Sequence, residues 1–558
     1  MATDFDFIIV GAGAAGCVLA NRLSADPAAR VALIEAGPSD QQFPLNLKTT
    51  LPVGNIFLLP HAATNWQHVF SGGPGVNDRT IPCPRGKLVG GCTSVNGTVY
   101  MRGHRSDYDE WADLGNTGWR FDDVLPAFKN HENYSNAART SDASDWHGTG
   151  GELEVQRPAE SNLLAHAFVG AAAQAGHDRN DDFNAARQDG FGIFDLNQRR
   201  GVRHSSSRAF LHPIAERPNL QIFTDTLVER ITLRGNRATG IMVRQNGQRI
   251  ALTAALEVVL AGGTVNSPQL LLLSGIGPIA ELRRHGIAAM HDLPGVGVNL
   301  QDHPTVSVAM TNPDARSYAL SWRTAPRVAM APLRYIISRR GMLASNAAEA
   351  GGFLRSRTDL ERPDLQMTFM VGMKDNPRTL PRRHGFVLHV AVLRPATRGH
   401  LELRSADPAA RPAMFPRFLE NRADVDALIF GLREARRIIA MPALARHAGE
   451  EIGPGANVRT DAELEIFIRA NAATTYHPVG TCKMGPARDR MAVVDDRLRV
   501  HGIDGLRVAD ASIMPNIIGG NTSAPAMMIG ERAATFIRHD YIGSNTADAP
   551  RTAHEFIS

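Results

Sequence analysis

The pattern of apolar and polar positions divides the chain into three kinds of segment. Short continuous apolar runs come first: Phe5-Asp6-Phe7-Ile8-Ile9-Val10, Val31-Ala32-Leu33-Ile34 and Glu257-Val258-Val259-Leu260. Such β-branched runs suit strands covered on both faces, as in a parallel sheet. Between the first two, Val18, Leu19 and Leu23 share one helical face. Leu506-Arg507-Val508-Ala509-Asp510 near the C-terminus is a further strand, ending in an acid. Runs bounded by turn residues form the second kind, and they predict strands at 220–223, 227–231 and 240–243 and antiparallel strands at 385–392 and 400–404. The third kind has helical period. Val425, Leu428, Ile429, Leu432 and Ile439 fall on one face, with Asp424 as the expected cap. Asp107 to Trp119 has tryptophans and acids in helical spacing. Val328 to Ile337, followed by Arg339 and Arg340, reads as a core helix with a basic end, contact with a bilayer being the alternative.

The order of these segments predicts an α/β protein with a doubly wound, Rossmann-type nucleotide domain and an inserted domain of antiparallel sheet and helices. The nucleotide domain takes residues 1–158, 204–303 and 476–540, the inserted substrate domain takes 159–203 and 304–475, and 541–558 is a tail. The strand at 257–260 runs through Gly262-Gly263 into a helix expected to start at Ser267-Pro268. The last helix, Ala526 to Ile537, is expected to have Pro525 at its first position and Thr522 or Ser523 as cap.

Composition changes this picture little. The 558 residues include 60 basic and 56 acidic side chains, a net charge of +4, and no Lys/Arg block that would track nucleic acid. Cys17, Cys83, Cys92 and Cys482 form no CxxC pair, so neither a metal site nor a disulfide framework is expected, which favours a reducing compartment. The first strand begins by Phe5, leaving no room for a signal peptide, and no apolar run is long enough to span a bilayer. A cytoplasmic location follows, with peripheral contact with the inner membrane left open.

Three glycine-rich stretches carry the candidate chemistry. After the first strand comes Gly11-Ala12-Gly13-Ala14-Ala15-Gly16, and the second strand ends in Glu35-Ala36. Gly11 suits a tight turn, Gly13 admits a pyrophosphate, Gly16 lets the helix pack close, and Glu35 can accept from an adenosine ribose. An ordinary glycine-rich βα turn is the plain alternative. Pro84 to Gly103 is dense in glycine, small hydroxyls and Asn, so its backbone can lie against a flat ligand. Near the C-terminus, Tyr476-His477-Pro478 precedes Asn521-Thr522-Ser523, which opens a helix. His477 can take an alcohol proton, Asn521 can bond the same oxygen, and the helix N-terminus can face the negative end of a reduced flavin. No second GxGxxG is present, so reduction by a nicotinamide is not expected; the substrate would supply the electrons.

Together these stretches resemble the glucose–methanol–choline (GMC) flavin oxidoreductases over nearly the whole chain, on the branch of choline dehydrogenases and bacterial alcohol dehydrogenases. Pro84 to Arg102 and Gly262 to Pro278 are similar to the family's two signature patterns. The resemblance implies FAD held by Gly11, Gly13, Ala14, Ala15, Gly16, Glu35 and Ala36, with Arg85, Gly90, Gly91, Thr93, Asn96, Gly97, Thr98 and Val99 along the flavin. It places Val228 at the adenine, and Ala261, Gly262, Asp510, Ala511, Asn521, Thr522 and Ser523 along the remaining chain and ring. It makes His477 and Asn521 the pair that binds the substrate oxygen, with hydride leaving to flavin N5. Some members tether FAD through a histidine where this chain has Val95, so the FAD is expected to be non-covalent.

The reaction expected is oxidation of a primary alcohol to an aldehyde, with oxygen, a quinone or a carrier as acceptor; a homodimer is left open. Choline is the alternative substrate, for which Glu349 could pair with the quaternary ammonium and Tyr476 could supply an aromatic face. The plain reading of Glu349 is a buried acid paired with an arginine. Cyanohydrin cleavage on the same fold is the non-redox rival, and light-driven decarboxylation a more distant one.

Overall fold

The computed structural model describes residues 3–136, 143–373 and 381–541; the expected tail therefore lies outside them, apart from Tyr541. Two seven-stranded sheets organise the fold. Strand β1 (Asp4–Val10), helix α1 (Ala14–Leu23) and strand β2 (Val31–Ile34) open the first sheet. Helix α2 (Leu163–Gln174) and strand β3 (Gly190–Ile193) belong with the second. The chain returns to the first sheet with β4 (Leu220–Phe223), β5 (Thr226–Arg234), β6 (Arg237–Gln245) and β7 (Gln248–Leu260), then forms α3 (Gly263–Leu273). The second sheet is completed by β8 (Pro304–Thr311), β9 (Ala348–Leu354), β10 (Leu365–Met370), β11 (Gly385–Val392) and β12 (Glu451–Gly453). Helices α4 (Ala325–Ser338) and α5 (Arg422–Ile439) interrupt that series. Strand β13 (Leu506–Val508) and helix α6 (Ser523–Tyr541) close the chain.

In the first sheet β4, β2, β1, β7 and β13 run parallel in that order, and β5–β6–β7 form an antiparallel meander on its edge. The strands β1, β2 and the end of β7 are buried to the last side chain or nearly so, as their unbroken apolar runs require. The turn from β1 to α1 is tight because of two glycines. Gly11 has φ +103°, and a Cβ there would lie 2.5 Å from the Ala261 carbonyl oxygen. A Cβ on Gly16 would lie 1.9 Å from the Gly11 carbonyl oxygen. α6 lies on α1, with Arg22 paired to Glu531 at 2.7 Å, so the two ends of the chain share one layer.

The second sheet is antiparallel in the order β12–β8–β11–β10–β9–β3, with Ala473–Thr474 also paired to β8. Its side chains alternate. Val306, Val308, Met367, Phe369, Leu388 and Val390 enter the core, which α5 covers. The intervening Thr305, Ser307, Gln366, Thr368 and His389 line a cavity on the other face.

Four local expectations give way to the structure. α6 begins at Ser523 and not at Pro525, so Pro525 is its third residue and Ser523 lies inside it. α5 is capped by Asn421, whose side chain accepts from the Ala423 N–H, while Asp424 sits inside the first turn. α3 begins at Gly263, so Pro268 lies within it. Proline has no N–H for the carbonyl four residues back; that carbonyl, on Thr264, instead accepts from the Thr481 hydroxyl at 2.6 Å. Finally, α4 is not a core helix: only Ala331 and Tyr335 are buried, and its apolar residues Met330, Leu333, Ile336 and Ile337 face outward. Among the described residues no helix is long and apolar enough to cross a membrane.

Candidate active site

The carboxyl ends of β1, β2 and β7 open into one cavity of about 1210 Å³ that continues to the polar face of the second sheet. The cavity wall includes Gly11, Gly13, Ala14, Ala15, Glu35 and Ala36 from the first turn, then Arg85, Gly91, Thr93, Asn96, Gly97, Thr98 and Val99. Val228, Ala261, Gly262, Asp510, Ala511, Thr522 and Ser523 complete its nucleotide side, and Tyr476, His477 and Asn521 stand beside the second sheet.

Three expected residues lie behind this wall. Gly16 serves the packing of α1 described above. Gly90 donates its N–H to the Ala12 carbonyl at 2.7 Å and so ties the second glycine-rich stretch to the first turn. Glu349 is buried and fully engaged, accepting from the Asn162 N–H, the Tyr318 hydroxyl at 2.9 Å and the Ser345 hydroxyl. Its carboxylate supports loops behind the cavity; the neighbours that hold it are hydroxyls and an amide, not the arginine expected from sequence. Arg85 reaches the wall but spends its guanidinium on the Tyr476 and Pro84 carbonyls, anchoring the histidine loop.

Two observations test whether the cavity fits a dinucleotide. A Cβ on Gly13 would meet only the Ala261 oxygen, at 3.9 Å, so no protein atom demands glycine there; the space it leaves open belongs to the cavity. At the start of α6 the Ser523 hydroxyl is buried with no hydrogen-bond partner among the described residues, at a helix N-terminus, where the first N–H groups lack intrahelical acceptors. Glu35 accepts from the Ala12 N–H at 3.1 Å and the Gly37 N–H at 2.9 Å, yet burial pushes it up to about 7. Asp510, also raised by burial, accepts from Ser267 and from the Gly263 N–H at the head of α3.

His477 is held from several sides. Its N–H donates to Asp302 at 2.9 Å, and Thr474 donates to the same carboxylate. The Thr264 hydroxyl donates to the Pro478 carbonyl at 2.6 Å, so α3 clamps the loop that Thr481 also grips. Burial holds both His477 and its neighbour His303 below the usual imidazole value, His303 at about 3, so both rings are neutral. His303 Nε2 lies 3.1 Å from the Ile518 carbonyl, which can only accept. The hydrogen is therefore on Nε2, and His303 Nδ1 is a bare acceptor. His477 Nδ1, 3.1 Å from it and 3.0 Å from the Thr475 hydroxyl, donates. That leaves His477 Nε2 unprotonated, its lone pair accepting from Asn521 Nδ2 at 3.1 Å. The orientation of Asn521 is fixed in turn by Gln366, whose Nε2 donates to Asn521 Oδ1 at 3.3 Å. On the adjacent strands His389 Nδ1 and the Ser307 hydroxyl are 2.6 Å apart, and burial holds His389 down to about 4.

An imidazole with an unprotonated Nε2, an amide bonded to it, and a glycine-lined groove in the same cavity make an arrangement that can remove a hydroxyl proton next to a flat cofactor. The chain matches the GMC oxidoreductase family over residues 5–305 and again over 395–530. The chain belongs to this family. It is 42% identical to alcohol dehydrogenase [acceptor] of Pseudomonas putida over 536 residues, which is 96% of this chain and 95% of that protein. Mitochondrial choline dehydrogenase of Mus musculus is 39% identical, over 96% of this chain and 89% of its own. The crystal structure of pyridoxine 4-oxidase from Mesorbium loti superposes with a TM-score of 0.85 at 31% identity, covering 96% of this chain and 99% of that one. Within this GMC chain, His303, Gln366, Ser307 and His389 are site residues that no motif announces. Only the alternation of β8, β10 and β11, with the registers that set His389 opposite Ser307 and Thr368, brings three of them to the cavity.

Proposed function

We propose that this enzyme oxidises a primary, uncharged alcohol to the aldehyde, His477 taking the hydroxyl proton and Asn521 holding the oxygen. It is an FAD-dependent GMC oxidoreductase acting on CH–OH donors. The observation that carries the finer reading is the unprotonated Nε2 of His477, which accepts from Asn521 Nδ2 at 3.1 Å and faces the cavity. A substrate hydroxyl that displaces this bond and meets both groups gives its proton to Nε2 while its oxygen accepts a hydrogen bond from the Asn521 amide, and His303 Nδ1 steadies the imidazolium that forms. Bound FAD supplies the acceptor for the hydride that leaves the carbinol carbon. The Gly11–Ala15 turn, Glu35 and Ala36 would hold its adenosine and pyrophosphate, Val228 the adenine, and Gly91, Thr93 and Asn96–Val99 the isoalloxazine. Asp510, Ala511, Thr522 and Ser523 would hold the ribityl chain and pyrimidine, where the α6 N-terminus favours negative charge. Val95 stands where a tethering histidine would, which supports non-covalent FAD.

A neutral substrate is supported by the charges on the wall. Among the described lining residues the carboxylates are Glu35 and Asp510, both engaged with N–H groups of the nucleotide turns. With Glu349 spent behind the wall, a quaternary ammonium would meet no free anion among the described residues.

Anaerobic mixing with a panel of primary alcohols should bleach the flavin. Acid precipitation of the same preparation should release all its colour. His477→Ala should keep FAD and slow bleaching by about 10²- to 10⁴-fold, the usual range for a general base. A variant that bleaches within tenfold of the native rate, or a panel that never bleaches the native enzyme, would remove the proposal.

A further inference from the structure

The helix α4 presents a second, unused surface. On its inner face Val328, Ala331 and Tyr335 turn toward the protein, and Val328, Ala331 and Pro332 contribute to the rim of the cavity. The opposite side carries a continuous apolar stripe of Met330 (55% exposed), Leu333 (49%), Ile336 (68%) and Ile337 (75%), and the segment leading into the helix adds Trp322 at 86%. At 100° per residue, 330, 333, 336 and 337 fall within about 120° on one side of the helix. Phe57, also partly exposed, lines the same cavity. Isolated exposed apolar residues need no explanation, but a stripe of large ones with a nearly free tryptophan does.

The charges of the segment itself have one sign. Residues 316–340 contain six arginines (Arg316, Arg323, Arg327, Arg334, Arg339 and Arg340) and no acid. Arg334 pairs with Glu160 at 2.8 Å, both half in solvent, Arg323 and Arg327 donate to the Pro313 and Ser317 carbonyls, and Arg339 lies over the Tyr335 ring. An apolar stripe with a tryptophan, flanked by arginines, is the pattern of a helix that lies in the plane of a lipid interface.

We infer that α4 with Trp322 docks on an anionic phospholipid surface, so that the rim of the cavity opens against the lipid. The apolar pole enters the headgroup region and the arginines meet lipid phosphates. This docking stands apart from the reading of the reaction: it can fail while alcohol turnover holds, and the reverse.

The test is flotation of the FAD-loaded protein with vesicles of phosphatidylcholine alone or mixed with phosphatidylglycerol. The native protein should float with the anionic vesicles and much less with the neutral ones. Salt should weaken the binding, because exposed charge attraction is screened within about 10 Å at 0.1 M. The double variant Ile336→Glu with Ile337→Glu, and separately Trp322→Ser, should lower the floated fraction at least tenfold. Turnover of a short, water-soluble alcohol should stay within twofold, since none of the three residues lines the cavity. Native protein that stays at the bottom with anionic vesicles overturns the inference. So does a double variant that floats as well as the native protein. Light scattering that shows an oligomer broken by the variant, without flotation of either form, would assign the stripe to contact between copies and overturn it as well.

Discussion

At the scale of single residues the site is a question of where hydrogens reside. Ile518 fixes His303, His303 fixes His477, and Gln366 fixes Asn521. His477 and Asn521 were readable from sequence because each sits next to a helix start or glycine-rich turn whose chemistry is local. His303 and Gln366 were not, since a buried histidine and a strand glutamine gain meaning only from what the fold brings opposite them. His303→Leu should therefore lower kcat with FAD still bound. Losing the fixed tautomer in a serine protease triad costs about 10⁴-fold. Here the Thr475 hydroxyl can still accept from His477 Nδ1, so a smaller loss, about 10- to 100-fold, is expected. His303→Asn, which restores an acceptor oxygen, should recover most of it, whereas a purely structural role would make the two variants alike. The pH profile gives a second check. Burial holds His477 below its ordinary 6.5, so its base form persists as pH falls. The acid limb of kcat/KM should then lie below 6.5, not at it.

At the scale of elements the glycines separate packing from binding. A Cβ on Gly16 would strike the Gly11 carbonyl, and one on Gly13 would enter the cavity. Gly16→Ala should thus lower the unfolding midpoint even without cofactor, while Gly13→Ala should fold normally and bind FAD more weakly. Titration of apo-protein with FAD, beside thermal unfolding of the same samples, distinguishes the two. Equal effects on both readouts would mean that Gly13 packs after all. The same distinction explains what the sequence disclosed. Glycine patterns encode backbone shape directly, so the β1–α1 turn and the stretch from Pro84 were legible. Periodicity names the apolar face of a helix without saying what that face meets, which is why α4 was assigned to the core and is found in solvent. A carboxylate in an apolar string shows that something must satisfy it, but Glu349 is satisfied by Asn162, Tyr318 and Ser345, remote in sequence or hidden in a loop. The cap of α5 fell on Asn421 because the helix begins earlier than its apolar face does.

At the scale of the whole molecule, the buried rings make stability depend on pH. Burial holds His68, His131 and His303 at about 3, His204 and His389 at about 4, and His477 below its ordinary value. Above 6.5 such rings are neutral in both folded and unfolded chains and contribute nothing to the pH dependence. Below 6.5 the unfolded chain takes up protons that the folded one refuses, and each ring then costs about 1.4 kcal/mol per pH unit. Glu35 at about 7 and Asp195, Asp302 and Asp424 at about 6 act the other way, taking protons first in the folded state as pH falls. Six rings outweigh four carboxyls, so acidification from 6.5 should destabilise the protein. His68 isolates one contribution: it is buried against Trp66, the rings 6.0 Å apart, and neither ring nitrogen has a hydrogen-bond partner among the described residues. Phenylalanine keeps the shape and removes both unsatisfied atoms, each of which costs roughly 1–3 kcal/mol when buried. His68→Phe should consequently raise the guanidinium midpoint at pH 7.5. Between pH 6.5 and 4.5 it should lose about 3 kcal/mol less than the native protein, two units at the single-ring slope. Identical slopes in the two proteins would show that His68 is protonated in the folded state, contrary to its buried, unpartnered setting.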